Sequence, residues 1–327
     1  MTASADEVKR AAALLRAGGV VAFPTETVYG LGAEATNLEA VRRVFAIKER
    51  PTDHPLIVHL ATAQGLEDWA RDIPATARLL AGTFWPGPLT LVLPRQPRVL
   101  DAVTGGQDSV ALRVPAHPVA RDLIAATGTL VAPSANRFGR VSPTTAQHVR
   151  DELESKVDMI LDGGPCRVGV ESTIVSLLHG KVVLLRPGGL SVEALESTLH
   201  QKIEMAPPTG YKVRVPGTLA SHYAPATPLE IHPADALGRR ALQRIRQGHK
   251  VAVLKLGADD EGFASSGIMT FPMPTGAGEY GRVLYATLHR LDHAGLHAVL
   301  VEAPPDTPEW LAVRDRLTRA ACNLPKA

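Results

Sequence analysis

Cysteine is almost missing from this chain. Cys166 and Cys322 are the only two in 327 residues, and neither belongs to a Cys-x-x-Cys pair. A disulfide framework and a cysteine zinc site are both excluded as organising devices. Charge of one sign is also scarce: the net charge is +2. That is too little for bulk electrostatic capture of nucleic acid, although it is compatible with a local basic pocket. No apolar run reaches membrane length. The opening MTASADEVKR has no signal-peptide core, so a soluble cytoplasmic protein without membrane contact is expected. Neither a G-x-x-x-x-G-K-[ST] phosphate loop nor a G-x-S-x-G elbow occurs, and no internal repeat is visible.

What is present reads as a globular protein. Hydrophobic residues make up 45% and charged residues 21%, in a chain long enough for two domains. Residues 4–18 read as a helix capped by Ser4 or Asp6, and VVAF follows as a strand. The capping-box pattern Thr36-x-x-Glu39 places a second helix from about residue 37. LTLVLP, SVALRVP, LVAPS, VDMILDG, STIVSLL and VVLLRPG read as short strands, with helices between only some of them. The expectation is an α/β domain with a twisted mixed sheet over residues 1–205. A proline-rich linker at 206–228 follows, and then a small Rossmann-like parallel α/β domain at 229–327, in which strands and helices alternate.

Two glycine patterns imitate a dinucleotide fingerprint. Gly30-x-Gly32-x-x-Ala35 is separated from its strand by PTETVY, and Gly276-x-Gly278-x-x-Gly281 would aim Glu279 at a pyrophosphate, so both read as helix- or strand-entry loops. His289, His293 and His297 recur every four residues, but no carboxylate accompanies them in a metalloprotease spacing. A solvated helix face is the expectation, with no metal site.

The stronger signal is spread over several strand ends. FPTETVYGLG puts two threonines, a glutamate and an exposed-type Tyr29 after an apolar strand. Gly30 and Gly32 are expected to let the chain turn away without bulk. Lys48 and Arg50 stand at a helix end, where they could complement the dipole or clamp a polyphosphate. Ser134 and Asn136 follow the strand LVAPS. Ser142 could cap a helix starting at Pro143. Arg113 occupies an inward position of an alternating strand and needs an anionic partner. GVESTIV repeats the glutamate–serine–threonine pattern, and Arg186 ends another strand. Polar strand ends meeting at one sheet rim would make an anion-binding cleft.

FPTETVYGLG, KERPTDHPL, WPGPLT, VALRVPAHP, APSAN, GVESTIV and LLRPGG resemble the YrdC-like domain. PGTLASHYAP and the small domain after it resemble the two-domain threonylcarbamoyl-AMP synthase family. The resemblance implies that L-threonine, bicarbonate and ATP, with Mg²⁺ bound to ATP, give threonylcarbamoyl-AMP, pyrophosphate and water. Downstream, tRNA-modifying threonylcarbamoyl transferase machinery would use the adenylate. By motif, threonine contacts fall on Thr27, His59, Arg113, Ala132 and Ser172. ATP contacts fall on Lys48, Arg50, His54, Ser109, Ser134, Asn136, Ser142 and Arg186, with Lys48 and Arg50 in the catalytic role. His54 and Ser109 depart from the commonest family residues. Ala220 replaces a linker aromatic, leaving His222 and Tyr223 as the expected lid over the nucleotide. Rival readings are a module with weak RNA binding, against which the missing aromatic-basic stripe weighs, and a carbamoyl transferase, which would need further domains not found in this sequence.

Overall fold

Runs of valine, isoleucine and leucine, broken by proline and glycine, form short strands with alternating faces. In the computed structural model, which describes residues 3–207, 213–258 and 268–322, the chain divides into two units. One comprises Met1–Phe138 with Ser142–Thr218, and the other Gly139–Val141 with Leu219–Ala327. The division falls inside the linker stretch, and residues 139–141 group with the second unit.

The first unit contains strands β1 Val21–Phe23, β2 Gly30–Glu34, β3 Ile57–His59, β4 Leu89–Pro94 and β5 Ser109–Arg113. It continues with β6 Leu130–Val131, β7 Met159–Ile160, β8 Thr173–Ser176, β9 Val183–Arg186 and β10 Glu204–Met205. They form one mixed sheet in the order β10-β9-β8-β4-β5-β3-β6-β2-β1-β7. Helices Ala5–Arg16 and Pro118–Thr127 close a core over the β1 and β6 region, with Leu15, Phe23, Leu123 and Leu130 fully or almost fully buried. Ser4 caps the first helix in a complete capping box with Glu7.

Two cap expectations are corrected. The helix Leu38–Lys48 is capped by Asn37, whose side chain accepts from the Ala40 N–H. Thr36 instead bonds Glu34. The helix after Ser142 begins at Ala146, because Thr145 supplies the cap.

The role of the early glycines is also different. Gly30 and Gly32 lie within β2, paired with Phe23 and Val21 of β1. A Cβ on Gly32 would sit 2.6 Å from the Phe23 ring. Gly32 is small because the ring crosses that position, while a Cβ on Gly30 would first meet the Ala132 methyl at 3.1 Å.

The second unit has strands β11 Leu229–His232, β12 Val251–Leu256, β13 Met269–Met273 and β14 Ala298–Glu302. All three pairings are parallel, in the order β11-β14-β12-β13. Helices Ala234–Arg246, Ala277–Asp292 and Leu311–Ala321 connect and cover them. Gly276 is the N-cap of the helix Ala277–Asp292. Among the described residues no helix is long and apolar enough to cross a membrane.

Two glycines give opposite expectations. A Cβ on Gly188 would lie 2.3 Å from the Glu171 carbonyl oxygen and 2.5 Å from the Thr173 nitrogen, whereas one on Gly82 meets nothing within 4 Å. Gly82 is exposed within the helix Ala75–Phe84. Denaturant titration should show Gly188→Ala losing about 1–3 kcal/mol or more and Gly82→Ala gaining about 0.5–1 kcal/mol. Equal stability of the two variants would contradict this packing.

Candidate active site

Strand alternation decides which side chains meet. Register pairs His59 with Arg113 and Ile57 with Ala111, Val92 with Ala111, and Ile174 with Arg186. Paired residues share a face, as do residues two apart on one strand. Ser109, Arg113, His59, Thr90, Ser172 and Arg186 therefore all point to one side of the sheet. The site is a sheet face rather than a rim: Ser109 opens β5 and Arg113 closes it, about 13 Å apart at strand rise.

Arg113 is buried at one end of this face. Its Nη2 donates to Glu26 Oε1 at 2.6 Å and to Thr27 Oγ1 at 3.0 Å, and its Nε donates to the Gly87 carbonyl at 3.2 Å. Glu26 Oε2 accepts from the Ala116 N–H at 2.9 Å. Burial alone would raise the Glu26 carboxyl, but the charge and hydrogen bond of Arg113, with the Ala116 N–H, hold it below the usual carboxylate range.

The hydroxyls of the Thr-Glu-Thr loop are tied together. Thr25 Oγ1 donates to the Val28 carbonyl at 2.7 Å and accepts from the Thr27 and Val28 N–H groups. Thr27 Oγ1 lies 2.7 Å from it and accepts from Arg113 Nη2.

His59 is fully enclosed, with Nδ1 3.2 Å from the Ile57 carbonyl. Burial, with the Arg113 charge next, pushes its imidazole down to about 3. Nearby, Thr90 and Ser172 share a hydroxyl hydrogen bond of 2.7 Å. Arg186 Nη2 donates to the Ser172 carbonyl at 2.8 Å, and its Nη1 donates to the Pro216 carbonyl at 2.8 Å. Ser142 Oγ donates to Glu171 Oε1 at 2.6 Å.

The other end of the face holds the second group. Lys48 Nζ donates to the carbonyls of Ser134 and Asn136, each at 2.5 Å. It ties the 134–136 loop to the end of the helix Leu38–Lys48. Burial, and then Arg50, hold its amine well below the ordinary lysine range. Arg50 donates to the Pro55 carbonyl at 2.8 Å and lies over the Phe138 ring. His54 meets the same ring edge-on at 5.2 Å, and burial followed by Arg50 lowers its pKa. Ala132 lies between the two groups, its N–H on the Ile57 carbonyl.

Among the described residues of the first unit, Lys48, Arg50, Arg113 and Arg186 are buried cations, and Glu26 and Glu171 are buried carboxylates. Cations outnumber carboxylates, which suits an anionic ligand. Val215 is buried against Ile57, Val92, Ala111 and Ile174, with Val213 beside it. Val213 and Val215 thus carry apolar cover for the middle of the face. His222 and Tyr223 pack within the second unit: Tyr223 stacks on Tyr285 at 5.8 Å, and His222 meets Tyr223 edge-on at 4.1 Å.

The model described as telomere recombination matches residues 13–188. The model described as threonylcarbamoyl-AMP synthase, C-terminal domain, matches residues 190–322. The chain belongs to the Sua5–YciO–YrdC family. The threonylcarbamoyl-AMP synthase of Pyrococcus abyssi is 40% identical over 326 residues, 96% of this chain and 94% of that one. Its counterpart in Bacillus subtilis is also 40% identical, over 96% of this chain and 93% of the relative. The solved structure of P. abyssi Sua5 complexed with L-threonine superposes with a TM-score of 0.88 at 40% identity, covering 96% of this chain and 94% of that chain.

Within the Sua5–YciO–YrdC frame, several site residues escaped sequence reasoning. Glu26 and Glu171 were visible as glutamates beside strand ends, but nothing local named their partners. Thr90 is concealed inside an ordinary apolar strand, and Phe138 inside a polar turn. Tyr29, read as exposed, is fully buried. Its hydroxyl donates to the Gly164 carbonyl at 2.8 Å and accepts from the Gly163 N–H at 3.1 Å. The histidine series does not converge: His297 Nδ1 accepts from the Lys250 N–H, and its ring stacks on His249.

The His59 environment sets a pH signature. With its pKa brought from 6.5 to about 3, folding keeps it neutral while the unfolded chain binds a proton. Its contribution to stability is complete above about 6.5 and is lost as pH falls toward about 3. Imidazole resonances followed by NMR should leave His59 untitrated between pH 5 and 8, and denaturant stability should decline on acidification. A His59 midpoint near 6.5 would contradict this enclosure.

Proposed function

We propose that the chain is a threonylcarbamoyl-AMP synthase, joining L-threonine, bicarbonate and ATP to give threonylcarbamoyl-AMP, pyrophosphate and water. One observation carries this reading. The residues that the motifs assign to threonine, Arg113, His59 and Ser172, gather at one end of a single sheet face. Most of those assigned to ATP, Arg50, His54, Ser134 and Asn136, gather at the other. Arg186 and Ser142 belong to the nucleotide set yet stand at the threonine end, bonded to Ser172 and to Glu171 beside it. In this reading the α-phosphate meets the carbamate beside them.

The chemistry follows from that layout. Threonine nitrogen attacks the bicarbonate carbon, water leaves, and a carbamate forms. A carbamate oxygen then attacks the α-phosphorus and pyrophosphate departs. No enzyme nucleophile is required, so catalysis consists of alignment and charge neutralisation. Arg113 suits the threonine carboxylate through its fixed charge and its remaining donor nitrogen. The Thr27 hydroxyl suits a hydrogen bond with a polar group of the same substrate. His59 stays neutral and adds no competing charge. Arg186 and Arg50 neutralise phosphate oxygens. Lys48 acts mainly by fixing the 134–136 loop from which Ser134 and Asn136 reach the nucleotide. Mg²⁺ enters with ATP as part of the nucleotide substrate.

In the same reading the adenylate passes to tRNA-modifying transferase machinery in the cytoplasm, with weak RNA contact as a secondary property. His222 and Tyr223 keep their proposed part in sheltering the product, and Val213 and Val215 add apolar cover.

Pyrophosphate release tests the proposal. Purified protein with MgATP and bicarbonate should release pyrophosphate only when threonine is added. Equal release without threonine would overturn the synthase reading and favour a general carbamoyl-adenylating activity.

A further inference from the structure

Arg113 is explained by a substrate carboxylate, but its buried partner is not. Glu26 sits in the loop between β1 and β2, and its side chain is as buried as that of Arg113, each about 5% exposed. Both carboxylate oxygens are committed, Oε1 to Arg113 Nη2 at 2.6 Å and Oε2 to the Ala116 N–H at 2.9 Å. Nη2 also reaches Thr27, and Nε reaches the Gly87 carbonyl. Nη1 makes none of these bonds. A long, flexible side chain is thereby held in one orientation, with one guanidinium nitrogen left to offer.

Stability does not account for this arrangement. A buried ion pair is often no more stabilising than well-packed apolar residues of similar volume. A role as the base that deprotonates threonine also fits badly, because a carboxylate held below its usual range is a weak proton acceptor. What the geometry does well is orient.

We propose that Glu26 is the positioning residue of the threonine site, acting through Arg113 to aim Nη1 at the substrate carboxylate. The proposal rests on the synthase reading above. It ties substrate recognition to the Thr-Glu-Thr loop, whose two threonines form the hydroxyl pair and whose glutamate sets the cation.

The test is calorimetric titration of L-threonine in the presence of a non-hydrolysable ATP analogue, with thermal melting as the check on folding. Glu26→Gln keeps the size and removes the charge. Threonine affinity should fall roughly ten- to a hundredfold, the worth of a charge-assisted hydrogen bond, with affinity for the analogue alone unchanged. Glu26→Asp, which keeps the charge, should recover part of the loss. Glu26→Gln leaves a buried guanidinium unpaired and could lower stability, so a second comparison removes both charges. Arg113→Met and Arg113→Met with Glu26→Gln should bind threonine equally weakly, because Glu26 has nothing left to position.

Unchanged threonine affinity in folded Glu26→Gln, beside a wild type that binds, would overturn this inference alone. So would a further loss from Glu26→Gln in the Arg113→Met background, since Glu26 would then act on threonine directly. A wild type that does not bind threonine would overturn the synthase reading, and this inference with it.

Discussion

The ion pair between Arg113 and Glu26 ties together the end of β5, the loop after β1 and the backbone at Ala116. The loop after β1 lies far in sequence from β5 and from Ala116, and the pair joins it to both. A guanidinium taken out of water needs an anion and satisfied donors, or it will not stay buried. Glu26, Thr27 and the Gly87 carbonyl supply them. The same requirement recurs across the face. Arg186 is met by carbonyls of Ser172 and Pro216, and Lys48 by carbonyls of Ser134 and Asn136. Backbone carbonyls carry only partial charge, and they supply acceptors to these cations without adding a full negative charge.

This distinction separates the two ends of the face. At the Arg113 end the cation already has a carboxylate, and the local charge is balanced. That suits an amino acid carrying both an ammonium and a carboxylate. Arg50 and Lys48, at the other end, meet backbone carbonyls and an aromatic face. That suits a polyphosphate. Strand alternation places both environments on one face of the sheet.

Much of this was legible in the sequence. The strands and helices of the second unit follow from clear periodicity and glycine stops. Arg113 stood out as an inward polar residue on an apolar strand, and Ser172 and Arg186 as polar residues at strand ends. What could not be read was pairing across the chain. Register decides that His59 sits beside Arg113, and register depends on long-range hydrogen bonds that no local pattern encodes. For the same reason Lys48 gave no hint of its two carbonyls, and the alternating valines at 213 and 215 looked like linker rather than cover for a sheet face. Tyr29 was misjudged because tyrosine tolerates either environment, and only the 163–164 backbone brought against it makes burial affordable. The cap errors at Thr36 and Ser142 arose where several good capping residues stand side by side.

The account's central claim is that a guanidinium pre-set by an internal carboxylate receives the amino-acid substrate. A crystal structure of this chain soaked with L-threonine tests it most directly. The account predicts the threonine carboxylate within hydrogen-bond distance of Arg113 Nη1, a polar group of the substrate on Thr27 Oγ1, and Glu26 still holding Nη2. Threonine bound at the Lys48–Arg50 end, or a substrate carboxylate that displaces Glu26 from Arg113, would contradict it.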